Sequence, residues 1–447
     1  MIKSLLLVML SLALTGVAQA ADGAGTIRVT GPWQVSVTAG RFTVGSDTVN
    51  VRASAAFDIA PPPLLSVQNE QHAALPVYNP TAAGWTRGAK LVKLVAMECT
   101  KRGLLDPASV VVKSAAGDGT VFKRGVDYEF EPDWATLGRL DGGAIAANQP
   151  VLVDYQYGAS RIDSLVVNAR GAVVLVPGIP EVVSPQPPAV PSGSTVIANI
   201  WVPGRSSALT GDSLYPIIEP AYPKTVSAHP VAEKLLPKTW AKLNSGQTVE
   251  ILTWGDSVST GAAASDVAHR YQERFATLLA AKYPKATVHM TTVAWGGRNS
   301  QSFLSEPSGS PHNFEEKVVA PHPDLIIMEF VNDSGTPTAV LEKRYSGFVD
   351  LFRKEGIEYI IVAPHFTNHQ MMNAPSDRIS ADTRPYIKFV REFAPREGIA
   401  LADWSQRWEH LQAEGVPYET LLLNGINHPN NKGHEMLAQA LIDLFGG

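Results

Sequence analysis

From about residue 24 to 176 the chain alternates apolar and polar positions in short segments broken by Gly, Pro, Asn and Asp. Ile27 to Val29, Gln34 to Val37, Val49 to Val51, Ser109 to Val112, Val151 to Tyr157 and Ser164 to Val167 each read as strands. No long helical period interrupts them, so an all-β, sandwich-like accessory domain is predicted over residues 21–176. Residues 177–196 are dense in proline, which disfavours helix and central strand alike, and predict an extended linker. Ile197 to Val202 reads as a strand in the lead-in to the last domain, 197–447.

Beyond residue 249 the period changes. Val249–Trp254, Thr287–Val293, Asp324–Phe330, Ile357–Val362 and Ile399–Asp403 are short apolar runs that suit buried strands. Between them lie helical patterns at Ser265–Lys282, Leu341–Lys354, Thr383–Phe393 and Lys432–Phe445. Strands alternating with helices predict an α/β fold with a parallel sheet covered on both faces. Such sheets hold their ligands beyond the carboxyl ends of the strands, so functional residues are expected just after the apolar runs.

Composition narrows the partners. A chain of 447 residues exceeds one ordinary core, and 45% apolar with 18% charged residues is typical of a globular protein. Its net charge is −5 and no Lys/Arg stripe stands out, which argues against nucleic acid and anionic membranes as partners. Residues 1–20 combine Lys3, an apolar run from Leu5 to Leu14 and Ala18-Gln19-Ala20, the pattern of a cleaved secretory signal. The run is too short to span a bilayer, no later segment is long enough, and a secreted or periplasmic location is expected. Cys99 is the single cysteine, expected as a buried, inert thiol rather than a disulfide partner or a nucleophile.

The chemistry concentrates where strands end. Val249-Glu250-Ile251-Leu252-Thr253-Trp254 runs into Gly255-Asp256-Ser257-Val258, a tight turn that presents a serine and is expected to lead into a helix. This segment resembles block I of the SGNH/GDSL hydrolases, and the other blocks follow in order over roughly residues 248–447. Val293 to Ser300 is similar to block II, with Gly297 as the oxyanion glycine because Gly297-Arg298-Asn299-Ser300 resembles the form in polysaccharide deacetylases. Val331-Asn332-Asp333 matches block III, with Phe330 in place of the usual Gly, and Asn427-His428-Pro429-Asn430 matches block V. The resemblance implies a three-layer α/β/α hydrolase domain, Ser257 as nucleophile, His428 as general base, and Gly297 with Asn332 as oxyanion donors. It implies no metal or organic cofactor.

The same chemistry makes sense residue by residue. A serine hydroxyl is a weak nucleophile until a neutral imidazole takes its proton. The alkoxide formed at an ester carbonyl needs donors already aimed at it. One element departs from the family pattern: the Asp expected three residues before the histidine is Gly425, preceded by Asn424. The imidazole partner is therefore open between Asn424, a backbone carbonyl, and a carboxylate from elsewhere such as Asp403.

Other residues carry two readings each. Gly211-Asp212-Ser213-Leu214 repeats the serine motif, but no buried strand precedes it and Pro216 follows, so Ser213 reads as an ordinary turn. Asp256 reads as a cap for backbone N–H groups beside a catalytic alternative, and Asp333 as a loop brace. Arg298 is either a substrate contact or a salt-bridge partner. His365 and His369 suggest metal ligands only weakly without a third clustered ligand, and His322, His410 and His434 read as structural or exposed. Trp254 and Trp295 line a sugar cleft or fill the core. The expected activity is hydrolysis of acyl, chiefly O-acetyl, esters on a polysaccharide or oligosaccharide. A lipase or thioesterase, and a non-catalytic carbohydrate-binding protein on the same scaffold, are the alternatives.

Overall fold

The computed structural model describes residues 23–223 and 229–446; the expected signal segment lies outside the described residues. The C-terminal half is built on five parallel strands: β1 (Thr248–Gly255), β2 (Thr287–Ala294), β3 (Leu325–Glu329), β4 (Glu358–Ala363) and β5 (Ala400–Asp403). Their order is β2-β1-β3-β4-β5, so the strand order reverses beside β1. All five coincide with the apolar runs read from the sequence.

Alternate residues of each strand enter opposite cores. Ile251, Ile327 and Ile360 meet Phe275 and Leu279 of helix α1 (Tyr271–Lys282) on one face. Leu437 and Leu441 of helix α4 (Asn431–Asp443) close the same layer. Leu252, Ile326 and Ile361 meet Tyr345 and Phe352 of helix α2 (Thr338–Glu355) on the other, with Phe389 and Phe393 of helix α3 (Pro385–Glu397). Each such side chain contributes about 1.5–3 kcal/mol by leaving water, and the two-sided burial is what fixes the sheet between its helices. Gly356 and Gly398 terminate α2 and α3 in the left-handed region.

The N-terminal half is antiparallel β, as expected, but it forms two packed units. Strands Leu64–His72, Val151–Gly158 and Leu105–Lys113 make one sheet over a core that includes Leu105, Val112, Phe130 and Val153. A second unit is discontinuous in sequence. Its first strands, such as Gln34–Val37, share a core with a four-stranded sheet formed by Val173–Val176, Arg161–Val167, Thr195–Val202 and Leu214–Pro216.

The domain boundary expected at 177–196 is therefore corrected. Thr195–Val202 pairs along its length with Arg161–Val167, from Arg161 opposite Val202 to Val167 opposite Thr195. The proline-rich stretch is a return connection inside one sheet, and the lead-in strand belongs to the β-rich half rather than to the hydrolase-like domain. An apolar strand buried on both faces carries no local mark of which sheet it will join.

Candidate active site

Four loops converge at the carboxyl end of the parallel sheet, around the reversal of strand order. β1 ends at Gly255, where a Cβ would stand 2.1 Å from Ser259 Oγ and 2.5 Å from the Glu329 carbonyl oxygen. Only glycine fits that approach. Asp256 follows, fully buried, and its carboxylate accepts from the Val258 N–H at 3.1 Å and the Asn332 N–H at 3.0 Å. It thereby staples the turn after β1 to the loop after β3, the capping role read from its position. Burial pushes this carboxyl up to about 7, against the two N–H donors that favour its charge.

Ser257 sits at the tip of this turn, with its Oγ 3.0 Å from His428 Nε2. The helix expected to follow, read over Ser265–Lys282, does not start at Ser265. The chain instead makes a single hydrogen-bonded turn, with the Thr260 N–H to the Asp256 carbonyl and the Ala262 N–H to the Ser257 carbonyl, and α1 begins only at Tyr271. Gly261, at φ +88, breaks the helical path.

After β2, Trp295 to Arg298 form a tight turn closed by the Arg298 N–H on the Trp295 carbonyl at 3.2 Å, with Gly297 at φ +73. A Cβ on Gly296 would lie 3.8 Å from Ser257 Cβ, whereas one on Gly297 would meet open space. Both glycine N–H groups, and that of Ser257, lack hydrogen-bond partners among the described residues. Gly296, which the sequence reading passed over in favour of Gly297, is therefore the glycine that stands against Ser257. The Asn332 amide donates to the Arg298 carbonyl at 3.2 Å and borders the same turn. Asp333, wholly buried, accepts from the Ser300 hydroxyl at 2.7 Å and the Tyr345 hydroxyl at 2.8 Å and faces Arg344 at 3.3 Å, which locks the second and third loops together.

His428 lies on a loop that Asn424 organises. The buried Asn424 Oδ1 accepts from the N–H groups of Ile426, Asn427 and His428, each at 2.9 Å. It therefore does not accept from the imidazole. Asp403 is also excluded as the imidazole partner. It forms a bidentate pair with Arg391 at 2.7 and 3.1 Å and caps the next helix at the Gln406 N–H.

The carboxylate that reaches His428 is Glu98, from the N-terminal half. Its Oε1 stands 3.1 Å from His428 Nδ1, an approach that is close in distance but not aligned as a hydrogen bond. The same oxygen accepts from Asn424 Nδ2 at 2.8 Å. Burial would raise the Glu98 carboxyl, but the contacts from His428 and Asn424 outweigh it and hold it down at about 2. Glu98 is absent from the sequence-level candidates. The one available signal was Gly425 itself, because a missing acid in the histidine loop asks for one from another element.

The remaining candidates fall into place. Trp254 is core, fully buried, with Phe330 and Phe314 at 4.9 Å and Phe348 at 5.1 Å. Phe330 fills part of that aromatic cluster, which accounts for its standing where the family has glycine. Trp295 is half-buried, stacked on His312 at 4.4 Å with the Arg298 guanidinium 4.9 Å from its ring. Arg298 thus covers an aromatic ring and is otherwise exposed. His365 is buried and meets the Asn427 carbonyl at 2.7 Å, and burial holds its imidazole well below the ordinary range. His434, pulled down to about 4 by burial, meets the Ala262 carbonyl at 3.1 Å.

His369 does gather two further groups, Asp377 at 2.5 Å and Glu419 at 3.3 Å, unlike the expectation that no third ligand would cluster there. Those carboxylates hold its imidazole up at about 9, and Lys101 lies 4.0 Å from Glu419, the makings of an ion cluster. Burial pushes the Cys99 thiol up to about 12, as an inert core sulfur requires. Ser213 lies in a short capped turn, its Oγ accepting from the Thr210 N–H at 3.1 Å.

Under the Ser257 turn, Glu329 ends β3 wholly buried, accepting from Ser259 Oγ at 2.9 Å through one oxygen while the other has no partner. Burial and the neighbouring Asp256 charge hold its carboxyl well above the usual range. Its folded value exceeds the unfolded 4.5, so folding takes up a proton there and the cost grows as pH rises above about 4.5. Glu329→Gln is accordingly expected to gain stability over the wild type at about pH 8 and to lose that advantage near about pH 4. Denaturant unfolding at both pH values checks the sign.

Comparison with known proteins adds a family. The model for the GDSL-like lipase/acylhydrolase family matches residues 253–436. No curated protein sequence matches the chain. Among solved structures, a two-domain esterase active on acetylated mannans, crystallised with mannopentaose, is similar at 18% identity and a TM-score of 0.36. The match covers 47% of this chain and 53% of that one, so this chain spans about half of that protein's length. An acetylxylan esterase from Geobacillus stearothermophilus is similar at 16% identity and TM-score 0.36, over 45% of this chain and 96% of that one. An α/β hydrolase from the metagenome of Lake Arreo, Spain, is similar at 17% identity and TM-score 0.35, over 44% and 95%.

Proposed function

From the premise that residues 253–436 belong to the GDSL-like lipase/acylhydrolase (SGNH) family, we propose that the protein is an exported serine esterase that removes O-acetyl groups from a carbohydrate polymer. The observation that carries the esterase reading is the 3.0 Å contact between Ser257 Oγ and His428 Nε2 beside three unpaired backbone donors.

In the proposed reaction His428 Nε2 takes the hydroxyl proton as Ser257 Oγ bonds to the ester carbonyl carbon. The carbonyl oxygen becomes an oxyanion held by the N–H groups of Ser257 and the Gly296–Gly297 turn and by the Asn332 side-chain amide. His428 then gives the proton to the departing sugar hydroxyl, which leaves an acyl-serine. Water, deprotonated by the same imidazole, attacks the acyl carbon, and the proton returns to Ser257 as the carboxylic acid departs.

Three features support a small acyl group on a polymer. The Gly296–Arg298 turn is exposed, so a bulky alcohol can approach from solvent. The Gly297-Arg298-Asn299-Ser300 sequence resembles that of polysaccharide deacetylases, and residues 1–20 read as an export signal.

Incubation with a fluorophosphonate tests the nucleophile. One adduct is expected, on the peptide that contains Ser257, with hydrolysis of a chromogenic acetate lost in parallel. Activity surviving complete labelling would end the reading. A chain-length series of chromogenic esters tests the acyl group: acetyl is expected to turn over fastest, whereas faster long-chain esters would indicate a lipase. Acetate release from a panel of acetylated polysaccharides then identifies the polymer.

A further inference from the structure

We propose that Glu98, carried by a hairpin of the N-terminal β-rich half, is the positioning residue that orients the His428 imidazole and supplies its counter-charge. The two halves of the chain then build one reaction centre between them. This inference rests on the esterase reading above.

The hairpin is short and purpose-shaped. Val95–Ala96 pairs with Cys99–Thr100, with Ala96 opposite Cys99, so Met97 and Glu98 form a two-residue turn. Met97 takes φ +59, a left-handed conformation unusual for a residue with a side chain, and such strain persists where surrounding contacts over-determine it. A two-residue hairpin turn asks for that conformation, and the strand residue that follows it faces the histidine loop. Ile426 packs into one buried cluster with Cys99 and Trp134, and Trp85 meets Trp134 edge-on at 5.2 Å. Gly425, at φ +67, leaves room for Lys101, whose Cδ would stand 3.3 Å from a Cβ there. Cys99 and Lys101, which follow Glu98 in the chain, thus pack against the loop that carries His428.

The electrostatics assign the role. His428 offers Nε2 to Ser257 and Nδ1 to Glu98, so the carboxylate lies at the far end of the ring from the nucleophile. When the serine proton arrives at Nε2 the ring becomes an imidazolium, and a fixed carboxylate at Nδ1 stabilises that charge without taking the proton. Asn424 occupies the stretch of loop where the family keeps its acid. It divides the work: Oδ1 shapes the loop and Nδ2 holds the Glu98 oxygen at 2.8 Å. The other titratable groups acting on His428 are Asp256, which it meets electrostatically from the nucleophile turn, and the neutral, buried His365 and His434. Asp256 is held by two N–H groups, so among the described residues Glu98 is the carboxylate in contact with Nδ1.

The test compares wild type, Glu98→Gln, Glu98→Asp and Ser257→Ala on a chromogenic acetate, with circular dichroism and thermal unfolding as checks on folding. Glu98→Gln is expected to lose on the order of 10²- to 10⁴-fold in kcat, as loss of the acid does in comparable triads, with KM little changed. The acid limb of its kcat/KM profile is expected to move to lower pH, because the imidazolium has lost its counter-charge. Glu98→Asp keeps the charge one methylene further away and is expected to fall between the two in kcat with the wild-type acid limb. A folded Glu98→Gln with the wild-type kcat and acid limb overturns the proposal. Should Glu98→Gln not fold, a Glu98→Asp variant with undiminished kcat overturns it instead. Ser257→Ala separates this inference from the reading beneath it. If that variant stays active, the esterase assignment itself fails; if it is inactive beside a fully active Glu98→Gln, only the role of Glu98 fails.

Discussion

Ser257→Ala is expected to lower kcat on a small acetate ester by roughly 10⁴- to 10⁶-fold while leaving the fold intact. The size follows from the chemistry. Without the hydroxyl no acyl-serine forms, and the remaining activity is that of donors positioning an ester for attack by water. The side chain removed is small, and the hydrogen bonds of its turn run through the Asp256 carboxylate and the backbone, not through Ser257 Oγ, so stability is little affected. His428→Ala is expected to cost a similar factor, and the double variant little more than either alone, because the two groups act as one unit. Steady-state rates of the three variants against wild type provide the check. A Ser257→Ala enzyme retaining more than about a hundredth of the wild-type kcat contradicts covalent catalysis at that hydroxyl.

Asn332→Ala is the second large effect. An oxyanion donor acts on charge that appears only in the transition state, so its loss should fall on kcat, by about 10²- to 10³-fold or about 2.7–4 kcal/mol, with KM almost unchanged. The contact that holds the loop is made by the Asn332 backbone N–H on Asp256, which alanine retains. The amide's bond to the Arg298 carbonyl lies at the surface and contributes about 1 kcal/mol at most. Asn332→Asp, which keeps the shape and removes the donor, should match or exceed the loss. A kcat for Asn332→Ala within about threefold of wild type would remove the side chain from the oxyanion site.

Much of this arrangement was legible before any coordinates. Strands such as Val249–Trp254 announce themselves because burial on both faces demands an unbroken apolar run, and the turn residues after them mark where a sheet of this kind must bind. Ser257 and Asn332 follow from that rule together with the resemblance to the family motifs, and His428, in the last loop, from the resemblance alone. What was hidden depends on pairing between distant segments. Glu98 lies 326 residues before Asn424, in a stretch that the sequence marks only as part of the β-rich half. The partner of Thr195–Val202 was equally invisible, because an apolar strand records that it will be buried but not against what. The helix read over Ser265–Lys282 begins only at Tyr271, because Asp266 caps a separate short turn and Arg270 is extended ahead of it.

The discontinuous sheet of the N-terminal half bears on how the protein matures. Its opening strands cannot complete their core until the segment through Pro216 has been made and has returned across the proline-rich connection. Assembly of that unit is governed by long-range closure and so proceeds slowly beside the local hairpins inserted within it. All of its strands precede Ser257 in the order of synthesis, so its closure can begin before the parallel sheet has been made.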